Sequence, residues 1–222
     1  MVRLLVLPAA GSGRRLGRSE PKALVPLLGR PLLSWTMDAL ASVAFARIVV
    51  AVAEDRTADF EKLVRGRAAI VPGGPTRSSS VRRGFEALGA DEGDLICIHD
   101  AARPLITAEE TELVLSRARE TGAATAATPI VDTVKRVESG RVVATIERDG
   151  LYAAGTPQAF RADLLRRAFD TGREATDEAG LFELLGVPVA VVPVSRWNVK
   201  ITTAEDLELA EAMLKRRATK LR

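Results

Sequence analysis

Short apolar runs alternate with longer amphipathic ones along the whole chain. The apolar runs are Arg3–Pro8, Arg47–Ala53, Ala68–Pro72, Leu95–His99, Ala123–Thr128 and Val189–Val194. Val, Ile and Leu dominate them without strict alternation, the pattern of strands covered on both faces. Between them, helical spacing predicts helices near 32–42, 55–65, 78–88, 108–121, 162–170, 177–185 and 204–217. Thr107-Ala-Glu-Glu110 and Thr203-Ala-Glu-Asp206 each place a capping hydroxyl three residues before an acid. Gly89, Gly122 and Gly186 stand where helices should stop. This order predicts an α/β fold: a Rossmann-like, mostly parallel twisted sheet with helices on both faces.

One stretch breaks the rhythm. Residues 131–148 contain two β-rich runs joined at Glu138-Ser-Gly140, which reads as a hairpin. Because it interrupts the αβ alternation, it is expected to protrude as an arm spanning 131–151. A lone two-stranded ribbon is marginal in water. Either it folds back on its own domain or a second subunit covers it, and the pattern alone leaves both open.

Composition narrows the class. A chain of 222 residues with 47 % hydrophobic and 27 % charged positions suits one globular domain, expected over 1–222. No apolar run approaches the ~18 residues of a membrane span, and a strand-like run from Leu4 leaves no room for a signal peptide. A cytoplasmic, reducing setting is the expectation. Cys97 is the only cysteine and His99 the only histidine, which excludes a disulfide framework and a multi-His zinc site. A net charge of +3 and 4 % aromatics argue against binding nucleic acid by stacking. The basic tail from Lys215 reads as a solvated end.

The first strand runs into Pro8-Ala-Ala-Gly-Ser-Gly-Arg-Arg-Leu-Gly-Arg-Ser-Glu-Pro-Lys22. Ala9, Ala10, Gly11, Ser12 and Gly13 carry no side chain large enough to obstruct a phosphate, and successive N–H groups in such a loop form an anion-binding nest. Arg14, Arg15, Arg18 and Lys22 supply positive charge. The dinucleotide fingerprint fails because Leu16 holds the third glycine's place, and the P-loop pattern is absent. This is a phosphate loop of a third kind.

Asp100 ends a buried strand in Leu95-Ile-Cys-Ile-His-Asp100-Ala-Ala-Arg-Pro104. Open α/β sheets bind ligands beyond the carboxyl ends of their strands, so Asp100 shares an edge with the glycine loop. A carboxylate beside phosphates calls for an intervening divalent cation, typically Mg²⁺, with Asp100 as its ligand. Ala101 and Ala102 leave room for a sugar or base, and Arg103 can steady Asp100 or touch phosphate. Gly73-Gly-Pro-Thr-Arg-Ser-Ser-Ser-Val81 is a second small-residue loop whose hydroxyls either read a base or cap the next helix. Ala153-Ala-Gly155 before Thr156-Pro-Gln158 suggests a close backbone approach. Lys200 lies in an extended segment, where it either meets an anion or guards a sheet edge.

Together these motifs resemble the 2-C-methyl-D-erythritol 4-phosphate cytidylyltransferases of the nucleotidyltransferase superfamily. The match runs nearly end to end: the glycine loop with Pro21-Lys22, Gly73-Gly…Arg…Ser80-Val, His99-Asp-Ala-Ala-Arg-Pro104, Asp132-Thr-Val-Lys-Arg136, Arg148-Asp-Gly-Leu151, Thr156-Pro-Gln158, Thr176-Asp-Glu-Ala179 and Asn198-Val-Lys-Ile-Thr202. The resemblance implies transfer of CMP from CTP to a methylerythritol phosphate, releasing pyrophosphate. By it, Arg15 and Lys22 stabilise the transition state at the α-phosphate. Arg148 and Lys200 hold the polyol phosphate, and Thr133 touches that substrate. Asp100 and Arg103 belong to the ribose and metal side, Ala101 joins the nucleotide site, and Thr156 joins Arg103 among the substrate-binding residues. Ala10, Gly74 and Ser80 contact cytosine and its sugar. It also implies a homodimer in which the arms interlock, so that Thr133 and Arg148 serve the neighbour's site.

Two positions depart from the family pattern. Ala23 stands where Gln often follows Pro-Lys. Pro75 replaces a frequently acidic residue and offers no N–H to a base. A cytidylyltransferase for another polyol phosphate, such as ribitol 5-phosphate, would share the loop and Asp100 but differ around Thr133 and Arg148. A non-catalytic nucleotide-binding module is the alternative of another class.

Overall fold

The first apolar run forms β1 (Arg3–Pro8) in the computed structural model, which describes residues 1–222 apart from 18, 19, 174, 221 and 222. After the glycine loop come two very short strands, β2 (Pro26–Leu27) and β3 (Arg30–Pro31), paired antiparallel with each other. Then follow α1 (Leu32–Ala39), β4 (Arg47–Val52), α2 (Thr57–Val64), β5 (Ala69–Pro72) and α3 (Arg77–Leu88). Next are β6 (Leu95–Ile98), α4 (Ala108–Thr121) and β7 (Ala123–Pro129). The arm contributes β8 (Val134–Glu138) and β9 (Arg141–Ile146). The chain returns as β10 (Tyr152–Arg161), then α5 (Ala162–Asp170), α6 (Glu178–Leu184), β11 (Ala190–Pro193) and α7 (Ala204–Lys220).

The main sheet has seven strands in the order β11-β7-β10-β6-β1-β4-β5. Its pairings are parallel except those of β10, which runs antiparallel to both β6 and β7. The lack of alternation in the apolar runs now has its cause. Successive strand residues enter different cores, one on each face. Leu5, Leu7, Val50, Val52 and Cys97 pack with Phe60 of α2 and Val114 and Leu115 of α4. Leu4, Val6, Val49, Ile96 and Ile98 pack with Val81 and Phe85 of α3 and Leu165 of α5. Phe160 of β10 stacks on Phe182 of α6, with ring centroids 4.5 Å apart.

The capping signals act as expected. The Thr107 hydroxyl accepts from the Glu110 N–H, and the Glu110 carboxylate accepts from the Thr107 N–H. Gly89 and Gly122 take left-handed φ values of +54° and +86° directly after α3 and α4.

β10 is the element that composition hid. Its Ala153-Ala-Gly155 and Thr156-Pro-Gln158 read only as a close backbone approach, whereas the chain threads them through the middle of the sheet. A register shift between Ala154 and Gln158 absorbs the irregularity. The arm is a hairpin as expected. Ser139 and Gly140 both take positive φ, 49° and 76°, which matches the twist of a two-residue turn. It forms its own two-stranded sheet and leaves Val137, Val142 and Val143 51–62 % exposed.

Candidate active site

Strands β1, β4 and β6 run parallel, so their carboxyl ends open on one rim. There the glycine loop leaves β1, fixed by the Ala9 N–H donating to the Ala51 carbonyl at 2.7 Å. The loop doubles back. The Gly13 N–H reaches the Glu20 carbonyl at 3.1 Å, and the Lys22 N–H reaches the Gly11 carbonyl at 2.9 Å. This return places Lys22 against the base of the loop. The rim encloses a cleft of about 350 Å³, a size suited to a small polar ligand.

Most of the predicted residues converge on this cleft. Ala9, Ala10, Gly11 and Ser12 form its near wall, with Arg15 and Lys22 beside them. Gly74 and Ser80 close the opposite wall, while Asp100, Ala101 and Lys200 complete the floor. The glycines of the second loop are packing requirements. A Cβ on Gly73 would stand 2.9 Å from both the Ala10 Cβ and the Ser80 Oγ. The Ser80 hydroxyl accepts from the Gly74 N–H at 3.0 Å and donates to the Thr76 carbonyl at 2.9 Å, which pins the wall in place. Thr76 and Ser79 cap α3 reciprocally.

Asp100 is 6 % exposed and is held by three cations. Arg77 Nε meets Oδ1 at 3.0 Å. Lys200 Nζ and Arg103 Nε meet Oδ2 at 2.9 and 3.4 Å. Burial by itself would raise the pKa of this acid, but Arg77, Lys200 and Arg103 outweigh it and hold the carboxyl well below the usual range. The structure corrects the electrostatic premise drawn from sequence: the chain's own cations already neutralise Asp100. A divalent ion still fits. A carboxylate offers about four lone-pair sites, and Asp100 is the only acid lining the cleft among the described residues. Among those residues no cluster of three His, Cys, Asp or Glu could cage a metal. Asp100 is thus the one described residue of the cleft that could offer such an ion a carboxylate.

Lys22 lies in a crowd of like charge. Burial, then Lys200 and Arg15, lower its ammonium pKa from 10.5 to about 8, with Asp100 opposing. Behind the floor, Thr156 accepts the Asp100 N–H at 3.0 Å and lies 3.2 Å from His99 Nδ1. The threonine proton therefore points to Nδ1, leaving His99 Nε2–H to donate to the Arg103 carbonyl at 3.1 Å. Burial lowers the His99 pKa to about 4, so it stays neutral and structural. Arg103 Nη1 donates to the Asn198 carbonyl at 2.7 Å, and the Asn198 amide donates to the Thr156 carbonyl at 2.8 Å. These bonds deliver Lys200, two residues on, to the floor. A Cβ on Gly155 would stand 3.4 Å from the Arg103 guanidinium. The close approach read at Ala153–Gly155 is thus to a side chain of this protein.

Some predicted residues lie elsewhere. Gly13 is buried under the loop, and Arg103 and Thr156 stand behind Asp100. Thr133 and Arg148 are exposed on the arm, where Arg148 donates to the Val131 carbonyl; neither lines this chain's cleft. Arg18 lies outside the described residues. Sequence reasoning held Arg77 and, beneath it, Glu178 within family motifs but gave neither a role. The signal was an arginine inside the small-residue loop before α3.

A family model described as 2-C-methyl-D-erythritol 4-phosphate cytidylyltransferase matches residues 3–216. This chain belongs to that family. A cytidylyltransferase of this name from Desulforamulus reducens is 42 % identical over 96 % of this chain and 95 % of its own length. One from Frankia casuarinae is 43 % identical over 95 % of this chain and 80 % of its own. The crystal structure of the Thermus thermophilus cytidylyltransferase aligns with a TM-score of 0.79 at 35 % identity, covering 96 % of this chain and 98 % of that one. The Francisella tularensis cytidylyltransferase aligns with a TM-score of 0.84 at 30 % identity, covering 96 % and 99 %. Membership makes the chain a nucleotidyltransferase enzyme built on the mostly parallel α/β sheet expected from its sequence. No helix among the described residues is long and apolar enough to cross a membrane.

Proposed function

We propose that this cytidylyltransferase transfers CMP from CTP to 2-C-methyl-D-erythritol 4-phosphate with the release of pyrophosphate, a step in making isoprenoid precursors in the cytoplasm. The observation that carries the reading is the convergence of Arg15, Lys22 and Lys200 with Asp100 on one cleft at the head of β1.

The acceptor is a phosphate monoester with a second pKa near ~6, so it is largely a dianion at neutral pH and needs no general base. Its oxygen attacks the α-phosphorus of CTP as the bond to the pyrophosphate oxygen breaks. The barrier is bringing a dianion to a polyanion, so fixed cations and in-line placement carry the rate. Arg15 and Lys22 neutralise charge gathering on the α-phosphoryl oxygens and the departing pyrophosphate. The loop N–H groups of Gly11 and Ser12 cradle the triphosphate, and Ala10, Gly74 and Ser80 border the base and ribose. Asp100 would hold a Mg²⁺ ion, which would supply further charge neutralisation when bound. Lys200, anchored on Asp100, grips the acceptor phosphate.

Thr133 and Arg148 complete the acceptor site in trans. The exposed valines of the arm call for a covering surface, and a homodimer in which each arm reaches the neighbour's cleft provides one. One domain over 1–222, with the arm at 131–151, carries the whole activity; nucleic acid and membrane take no part.

The test is pyrophosphate release across a matrix of nucleoside triphosphates and polyol phosphates. Turnover is expected with CTP and the methylerythritol phosphate. Turnover with ribitol 5-phosphate alone would reassign the acceptor, and CTP binding without turnover on any acceptor would reduce the chain to a binding module.

A further inference from the structure

Thr176-Asp-Glu-Ala179 lies at the start of α6, and the mechanism above gives it no part. Glu178 is 0 % exposed. Its Oε2 accepts from Arg77 Nη1 at 2.7 Å, while Arg77 Nε reaches Asp100 Oδ1 at 3.0 Å. One guanidinium therefore bridges two carboxylates, one below the cleft and one on its floor.

The surroundings hold this bridge rigidly. Asp177 caps α6 through the Gly180 N–H at 3.0 Å and also accepts from Gln158 Nε2 at 2.8 Å. Gln158 Oε1 accepts the Ala179 N–H at 3.3 Å, so β10 grips α6 on both sides of Glu178. The other oxygen of Glu178, Oε1, is buried with no hydrogen-bond partner among the described residues. A wholly buried, half-satisfied carboxylate is a poor device for stability, since apolar replacements of buried ion pairs are often neutral or better. Its direction of reach is the informative property.

We propose that Glu178 is a positioning residue, acting through Arg77 to occupy Asp100 Oδ1 and so leave Oδ2, which Arg103 also contacts at 3.4 Å, to present Lys200 to the acceptor phosphate. The inference rests on the reading of Lys200 given above. With Glu178 in place, Arg77 approaches Asp100 edge-on through Nε alone. Without it, the fork is free to rotate and take both oxygens, since bidentate pairing is the preferred arginine–carboxylate geometry. Lys200 then loses its anchor.

The experiment uses full-length Glu178→Gln, Arg77→Ala and the double variant. It measures kcat and KM for both substrates, calorimetric CTP binding and thermal midpoints. Glu178→Gln should lower kcat/KM for the polyol phosphate about tenfold, while the Kd for CTP moves less than about threefold. The double variant should be no slower than Arg77→Ala alone, because the two act in series. Unchanged kinetics would overturn the inference. So would multiplicative losses, or equal losses for both substrates that follow the thermal midpoint. If Glu178→Gln does not fold, Arg77→Lys keeps the charge without the fork and should show the same split; wild-type kcat/KM in Arg77→Lys would be contrary. A wild-type enzyme inactive with CTP and the polyol phosphate removes the functional reading and this inference with it. An active wild type with unaffected variants removes the inference alone.

Discussion

Lys200 Nζ rests 2.9 Å from Asp100 Oδ2, joining a segment that follows β11 to the residue two places past β6. The pair makes the cleft floor dependent on one carboxylate shared by three cations. Asp100→Asn keeps the shape and leaves Arg77, Arg103 and Lys200 unbalanced. A loss of about 1.5–3 kcal/mol is expected, the range for charged hydrogen bonds where the partners keep some water.

The loss should depend on pH. The Asp100 carboxyl is held below its unfolded value of ~3.9, so its contribution is complete above that pH and fades as pH falls through the folded value. Urea unfolding of wild type and Asp100→Asn should therefore converge in strong acid. A gap that stays constant from neutral to acid pH would refute the assignment.

Lys22 bears a depressed pKa of about 8. If its ammonium is the active form, kcat/KM should be flat below that pH and fall above it. Bound triphosphate should draw the kcat limb to higher pH. Lys22→Arg should erase the limb, and Lys22→Ala should lower kcat roughly 10²–10³-fold. The same depression means that folding disfavours the charged form. Stability from this group rises with pH between about 8 and 10.5, and at neutral pH Lys22→Met should raise the thermal midpoint while lowering kcat as the alanine variant does. A Lys22→Ala enzyme with near-wild-type activity would contradict its assigned role.

Arg148 sits on the arm and away from its own cleft. Arg148→Ala should chiefly raise KM for the polyol phosphate. Lys22→Ala and Arg148→Ala chains, mixed and refolded together, should exceed either variant alone at sub-saturating polyol phosphate, because a mixed dimer pairs one intact cleft with one intact arm. Failure of complementation in a verified mixed dimer would place Arg148 in cis.

Gly84 lies in α3, where alanine usually stabilises a helix by about 1 kcal/mol. Its Cβ would stand 2.6 Å from Val6 Cγ1, a fully buried, branched side chain of β1. Overpacking costs about 1–3 kcal/mol, so the clash wins and Gly84→Ala should be destabilising by chemical denaturation. A more stable variant would mean that α3 shifts freely on the sheet.

Much of this was legible in the chain. The apolar runs located six strands, and the glycines and capping pairs located the helix ends, because those signals are local. The glycine loop and Asp100 were readable as a cleft rim because parallel strands put their carboxyl ends on one side. Other features were not. β10 escaped because glycine and proline suppress the strand pattern, and only pairing with β6 and β7 makes those residues a strand. The Arg77–Glu178 contact escaped because two motifs distant in sequence carry no mutual signal; it exists only once α3 and α6 pack on the same face of the sheet. The sequence by itself determined that small residues and cations gather at the end of β1, since that grouping is local to one stretch of chain. Tertiary structure alone decided how Asp100 is neutralised, because charge balance depends on distances that chain order does not contain.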